Sequence, residues 1–349
     1  LTQKGMKRDD VIDYLVPSFL MDGDLEKPAS ASNPSGGLRT KIHSVKMALQ
    51  NQYQVNVCDS VEACEGNFLL IEPHCFHVET DHDRETKSQL IQEVHNHEAA
   101  KILYCSGVEV LRWSGNQVNR VGAAIDAVTA NCPYLLNVLN VLNIEKPSVM
   151  LIDPVDEDFF SPAMEKQLEV VAMGLVSRIK QTEFIIELFH ALQATPIRTV
   201  YLGNASLWGN AIKENELVWK GSLELEQKLR DVTDLFVGGT TRSIVAQVLS
   251  KASIYVGNTI HGTYVASQVE SLMSGCLSIT GHHLIYSERP GITKLKEVPE
   301  FVSAIQNATN NFQEVPSRKI QSESRTWALK HCSFARFREQ LSGIRTNFL

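Results

Sequence analysis

A chain of 349 residues with net charge −7 suits two domains of ordinary size, each able to close its own core, and excludes the wrapping of long nucleic acid by bulk electrostatics. Hydrophobic residues make up 43% and charged residues 21%, yet no apolar run reaches the roughly 20 residues of a membrane helix. Seven cysteines, odd in number and never in CxxC spacing, read as reduced thiols of a cytoplasmic protein. The polar first residues carry no secretory signal, and Met6 reads as the start behind a short leader.

Apolar runs alternate with amphipathic helical stretches, the pattern of βαβ units and parallel sheets. Residues 12–20 predict a first strand. A loop rich in Ser, Pro and Asn follows at 28–35, then Gly36-Gly37 and a helix over 38–50, with Leu38, Ile42, Val45 and Leu49 on one face. Strands are predicted at 53–58, 68–72, 101–105, 127–130 and 148–152, with a helix at 88–100. Residues 153–165, containing Pro154 and Pro162, read as a linker. Beyond it the pattern restarts. Strands are predicted at 168–173, 199–202, 235–237, 254–256 and 276–279, and helices at 182–192, 224–232, 243–249, 264–273, 300–306 and 326–341. The expected architecture is α/β, with Rossmann-like domains at 1–160 and 161–328 and a C-terminal helix at 329–349. Two such sheets suggest a ligand held between facing carboxyl edges. No G-x-G-x-x-G follows a strand, which speaks against hydride transfer to a dinucleotide.

Three features supply what a nucleotide-sugar site needs. Gly36 and Gly37 precede a helix start, where free N–H groups and the positive dipole end suit phosphate; a plain tight turn is the other reading. The stretch from Gly174 to Lys180 follows a strand. There Arg178 and Lys180 can stabilise a diphosphate leaving group, or form an ordinary solvated loop. Glu270 lies on the helix after His261-Gly262-Thr263, whose amides can face phosphates. Its carboxylate can accept both ribose hydroxyls, or can simply sit on a surface face.

Taken in order, these segments resemble glycosyltransferases of the two-domain GT-B fold, notably the family-4 type. Gly36-Gly37 resembles their opening, and the stretch from Leu151 to Pro162 their linker. Gly174 to Lys180 resembles their donor-phosphate loop, and Glu270-Ser-Leu-Met-Ser-Gly their ribose-gripping motif. The resemblance implies two Rossmann-like domains facing across a cleft, with the C-terminal helix crossing back to the first. It also implies an acceptor held by the first domain and a UDP-sugar donor held by the second. The chain departs from the pattern at Leu175, where the family places Arg, and at Gly262, where it places the earlier glutamate near the sugar. A narrower resemblance is to phage DNA β-glucosyltransferases, whose fourth strand ends in a catalytic acid. Lys101-Ile-Leu-Tyr-Cys-Ser-Gly-Val-Glu109 is similar and implies Glu109 as the base for an inverting attack; a solvated loop acid is the other reading.

On the acceptor side, His74 and Asp81 are further candidate bases, and Arg112 and Trp113 could stack an acceptor ring. The histidines at 74, 77, 82, 95 and 97 match no recognised metal-ligand pattern, so no metal is required beyond a loosely bound divalent cation, and no tightly bound cofactor is expected. The best acceptor is the hydroxymethyl group of a modified pyrimidine such as 5-hydroxymethylcytosine in phage DNA. That reading is supported by the basic residues Arg318, Lys319, Arg325, Lys330, Arg336, Arg338 and Arg345, which are equally readable as a solvated helix. A polysaccharide or small glycan is the alternative acceptor. A nucleotide-sugar epimerase and an inactive GT-B scaffold subunit are alternatives from other classes. No membrane partner is expected, and the protein is read as a monomer or weak dimer.

Overall fold

The computed structural model describes residues 11–18, 21, 37–77, 81–107, 109–205, 216–257, 266–281, 292–310 and 315–348. The chain divides into two compact units. The first gathers β1 (Val11–Leu15), residues Lys41–Pro154 and the tail Phe334–Leu349, while the second holds Val155–Ser333 together with the residues just before Lys41.

The first unit is built on a parallel sheet of six strands: β1, β2 (Gln54–Cys58), β3 (Phe68–Ile71), β4 (Ala100–Cys105), β5 (Ala127–Ala130) and β6 (Ser148–Met150), in the order β2-β1-β3-β4-β5-β6. Helices α1 (Gly37–Leu49), α2 (Asp81–Asn96), α3 (Gly115–Ala124) and α4 (Pro133–Val141) connect them. Phe68-Leu-Leu-Ile71 and Ala127-Val-Thr-Ala130 are buried at every position, as strands covered on both faces must be. The spacing of Ile42, Val45 and Leu49 puts one face of α1 onto the strand residues Ile12, Tyr14, Leu70 and Ile102.

The second unit repeats the plan with β7 (Gln167–Met173), β8 (Arg198–Leu202), β9 (Leu235–Val237), β10 (Ala252–Gly257), β11 (Leu277–Gly281) and β12 (Ile292–Leu295), in the order β12-β11-β10-β7-β8-β9. Its helices are α5 (Thr182–Leu192), α6 (Glu216–Asp231), α7 (Arg242–Lys251), α8 (Ala266–Met273), α9 (Val298–Asn310) and α10 (Val315–Cys332). Ile185, Leu188, Phe189 and Leu192 of α5 pack with Leu225 and Leu229 of α6 and Phe301 and Ile305 of α9.

The helix expected over 326–341 is two helices. It breaks at Ser333, which bridges to Val155 while the Val155 N–H donates to Cys332 O at 2.7 Å. After the break α11 (Phe334–Phe348) returns to the first unit, where Phe337, Leu341 and Ile344 join its core. Burying side chains of this size contributes about 1.5–3 kcal/mol each, enough to hold the tail there. Arg338 donates to Ala48 O at 2.9 Å at the end of α1, and Arg345 lies 4.6 Å from the Tyr53 ring centre. Helices α3 and α4 and strand β12 lie where no element was expected. Two glycines weaken the helical pattern of α3, and Asn137 and Asn140 interrupt that of α4. Among the described residues no helix is long and apolar enough to cross a membrane.

Candidate functional site

Each sheet reverses its winding once. In the first, β1 leads to β2 on one side, whereas β3 to β6 are added on the other, so the reversal falls between β1 and β3. A crevice outside the carboxyl ends of such a pair is where open α/β sheets bind ligands. Glu72, the first residue after β3, stands there with its N–H donating to Leu15 O at 2.9 Å and its side chain fully buried. Lys41, one turn into α1, donates to Glu72 Oε2 and to Ser106 Oγ just past β4, with its ammonium 4.9 Å from the Tyr104 ring centre. Tyr14 donates to Glu72 Oε2 at 3.0 Å.

Pro73 opens a 3-10 turn, Pro73–Phe76, that swings His74 back over Glu72. His74 Nδ1 lies 3.1 Å from Glu72 Oε1, and Nε2 lies 3.3 Å from Glu109 Oε1. Glu109 begins a second 3-10 turn, Glu109–Arg112, after β4. Its carboxylate folds back over Gly107 so closely that a Cβ there would come 2.3 Å from Glu109 Oε2. That oxygen is buried and has no hydrogen-bond partner among the described residues. His74 and Glu109 keep 25% and 23% of their side chains exposed, so solvent reaches the outer end of a chain whose inner end is sealed. Beside it, Asp153 accepts from Tyr104 at 2.6 Å and from Asn131 at 3.0 Å.

The charges set one another. Burial works to lower the pKa of His74, but its hydrogen bonds and ion pairs with Glu109 and Glu72 outweigh this and lift it to about 9. Burial works to raise Glu72, and Lys41 and His74 overcome it, holding that carboxyl below its usual range. Glu109 is likewise held low by His74 against the effect of burial. For Asp153 burial wins over Lys41, and its carboxyl is pushed up.

In the second sheet the reversal falls between β7 and β10. Gly174 follows β7 and Gly203 follows β8, with φ of +136° and +132°. A Cβ on Gly203 would sit 2.0 Å from Gly174 O, so two backbones cross there, whereas a Cβ on Gly174 would meet none of the described residues within 4 Å. The loop beyond Gly174 is pinned by Val176 N–H to Asn204 O at 3.1 Å. The Thr182 hydroxyl accepts from Ser177 N and donates to Ser177 O, both at 2.9 Å. The 3-10 turn Arg178–Lys180 and left-handed Gln181, φ 50°, then lead into α5. Lys180 is half-buried, no carboxylate among the described residues pairs with it, and burial lowers its pKa. Arg178 is exposed, 3.3 Å from Glu183, and lines a groove between α5 and α6 with Glu187 and Lys228.

Glu270, on α8 after β10, is buried and bound at 2.7 Å by Arg242, the first residue of α7. The Arg242 guanidinium in turn lies 4.7 Å from the Phe160 ring centre. Two cations fix helix ends here: Lys166 donates to Ser274 O just past α8 at 2.6 Å and to Leu249 O near the end of α7 at 3.1 Å, and Arg325 donates to Met273 O, the last residue of α8.

Of the residues singled out from sequence, His74 and Glu109 come together, and Gly174, Lys180 and Glu270 belong to loops and helices that follow the central strands β7 and β10. Trp113 is buried edge-to-face against Phe76, with ring centres 6.0 Å apart, so it is core rather than an exposed platform for an acceptor ring. Arg112 is exposed. Gly37 is the first residue of α1, and Asp81 begins α2. Gly36, His261, Gly262 and Thr263 lie outside the described residues, as does the Asp81 side chain. His95 and His97 bond to nearby backbone at Ala123 O and Ala99 N, and among the described residues no group of three His, Cys, Asp or Glu is placed to hold a metal ion. All seven cysteines are free and buried. Sequence reasoning missed Lys41, Glu72, Ser106, Asn131, Asp153 and Arg242. Four of these carry a readable signal, a polar residue at or just past the end of an apolar strand run, as in Phe-Leu-Leu-Ile-Glu72 and Val-Met-Leu-Ile-Asp153.

No family model and no curated protein matches the chain. Solved structures do. A glycosyltransferase from Rickettsia africae matches with a TM-score of 0.70 at 11% identity, covering 97% of this chain and 98% of its own. HepE of Anabaena, solved with UDP-glucose, matches with 0.68 at 11%, covering 97% and 99%. Sucrose-phosphate synthase from Thermosynechococcus elongatus matches with 0.68 at 12%, covering 97% and 98%. Likeness at this identity is one of fold, and the fold is GT-B.

Proposed function

We propose that the chain transfers a sugar from a nucleoside-diphosphate sugar, a UDP-sugar in the first instance, to a hydroxyl acceptor. One observation carries the reading: Lys180 and Glu270 follow the two strands flanking the second sheet's reversal, and the Lys180 ammonium has no carboxylate partner among the described residues. A desolvated cation without an anion is costly, and a bound diphosphate relieves that cost. Open space over Gly174 lets a ligand approach the backbone. Glu270, held by Arg242, can accept a ribose hydroxyl. The second unit therefore takes the donor, and a UDP-sugar as donor is supported by the UDP-glucose bound in the HepE structure.

The first unit takes the acceptor. The Glu109 carboxylate, whose side chain is 23% exposed, accepts the acceptor hydroxyl's proton as the acceptor oxygen bonds to the anomeric carbon. The bond from that carbon to the β-phosphate oxygen breaks, and UDP leaves with its electron pair beside Lys180, inverting the centre. No cofactor is needed for this step. The free thiols suit a reducing cytoplasm.

For the acceptor, the basic tail favours a small glycan over hydroxymethylated DNA. Arg325 and Arg338 cap backbone carbonyls, Arg345 stacks on Tyr53, and Lys319 and Arg336 pair with Glu323 and Glu339, so five of the seven basic side chains already have a partner within the chain. Calorimetric titration with UDP and UDP-glucose tests the donor site. Lys180→Met and Glu270→Gln are each expected to weaken binding by roughly 10-fold or more; wild-type affinity in both would remove the assignment. Radiolabelled UDP-sugars offered to hydroxymethylated DNA, unmodified DNA and a glycan panel decide the acceptor. Label on modified DNA alone would restore the DNA reading, and label on none of them, with free epimer formed, would favour an epimerase.

A further inference from the structure

We propose that Glu72, backed by Lys41, is a positioning residue that grips the His74 ring by Nδ1 so that both ring nitrogens are donors and Glu109 is left as the proton acceptor among the described residues of the site. The inference rests on the first unit's edge being the acceptor-activating site, and it assigns its groups distinct roles.

The argument is one of hydrogen-bond inventory. An ionised carboxylate only accepts, and a neutral imidazole has one donating and one accepting nitrogen. His74 has a carboxylate oxygen at 3.1 Å from one nitrogen and another at 3.3 Å from the other. If either ring nitrogen lacked its proton, two acceptors would face each other in a partly buried site. The charged ring satisfies both contacts.

Glu72 is the member that cannot give way. Fully buried, it receives Lys41 and Tyr14 on Oε2 and presents Oε1 to His74. Lys41 is itself fixed by Ser106 and lies over Tyr104, so the anion is held at the end of β3 whatever occupies the outer site. Of the other titratable groups packed around this edge, Cys75 and Cys105 are raised by burial and stay neutral, and Tyr14 is raised likewise. Asp153, pushed up by burial, is bound to Tyr104 and Asn131 instead, and Lys87 acts only at a distance on Cys75. Among the described residues, Glu72 and Glu109 are thus the carboxylates in contact with His74.

A consequence for chemistry follows. A histidine held as a cation cannot take the acceptor's proton, and its charge stabilises Glu109 as a carboxylate, with Oε2 unbonded and Gly107 leaving room for it. His74 therefore orients the base, and the base is Glu109.

The test is the titration of His74 by NMR of the imidazole in the whole protein, assigned by the signal lost in His74→Gln, and it needs no substrate. In the native chain the midpoint is expected near pH 9. Glu72→Gln should lower it by roughly one pH unit or more, since an opposite charge in contact moves a pKa by one to three. Glu72→Gln leaves Lys41 buried without its anion. The paired change Lys41→Met with Glu72→Gln avoids that and should show the same fall. A native midpoint near the ordinary 6.5, or one unmoved in the folded double variant, would overturn the proposal. Activity gives the second readout: the alkaline limb of the kcat profile moves down with Glu72→Gln if His74 must be charged. If the NMR result holds while Glu109→Gln keeps full transfer, the positioning stands and the reading of the edge as the activating site fails.

Discussion

At the reversal of the first sheet the charges answer one another: Lys41 meets Glu72, Glu72 meets His74, and His74 meets Glu109. At the reversal of the second, Glu270 is met by Arg242, but Lys180 is met by no carboxylate among the described residues. A single reversal in a parallel sheet thus goes with a closed proton network in one unit and an open cation in the other. Closed networks hold protons on chosen atoms, whereas an open cation is completed by an anionic ligand. The difference matches the division of labour in group transfer, where one partner must lose a proton and the other must leave with charge.

The largest effect should come from breaking the closed side at its outer end. Glu109→Gln keeps the size and the contact with Gly107 but removes the proposed base, so kcat is expected to fall roughly 10²–10⁴-fold with little change in UDP affinity. Measuring both in one preparation separates the two edges. Loss of UDP affinity in Glu109→Gln would show that the edges do not divide the work as described.

A second comparison lies inside the open side. Gly203 and Gly174 share a backbone conformation that side chains avoid, yet their surroundings differ. Gly203→Ala drives a Cβ into Gly174 O and should cost about 3 kcal/mol or more, read from urea unfolding. Gly174→Ala meets open space and carries only the conformational strain, about 1–2 kcal/mol, while placing a methyl where a donor would lie. Reduced UDP affinity in a folded Gly174→Ala is therefore expected. Equal destabilisation in the two variants would contradict the crossing of backbones described for this loop.

These details differ in how far a sequence reveals them. The period of Phe184 to Leu192 marks α5 from Thr182 to Leu192, and three adjacent apolar residues mark β9, because local pattern decides such elements. The break at Ser333 carries no glycine or proline; it is set by Val155, nearly 180 residues earlier, and so has no local mark. The site behaves in the same way. Glu109 and His74 could be named from motif and residue type, but Lys41 meets Glu72 across 31 residues and Ser106 across 65. Those meetings depend on β3 and β4 being laid on the far side of β1 from β2, which strand propensity does not encode.

The smallest expected effect tests the closed network through stability alone. His74 titrates at about 9 in the folded chain and near 6.5 unfolded, so its folded pKa is raised. A raised pKa means that the folded state holds the proton more tightly. The stabilisation is fully present below pH 6.5 and is lost as pH rises through 9, with a ceiling of roughly 3 kcal/mol. Urea midpoints measured from pH 6 to 9.5 should therefore fall across that window. Lys166 and Lys180, lowered by burial, titrate in the opposite sense at the alkaline end and blunt the fall. The informative quantity is accordingly the difference between the native chain and His74→Gln, in which only the histidine's share disappears. That difference should be largest at pH 6 and shrink toward zero by pH 9.5. A constant difference across the range would mean that His74 contributes by packing and not by charge, and the contrast between a closed and an open edge would lose its first half.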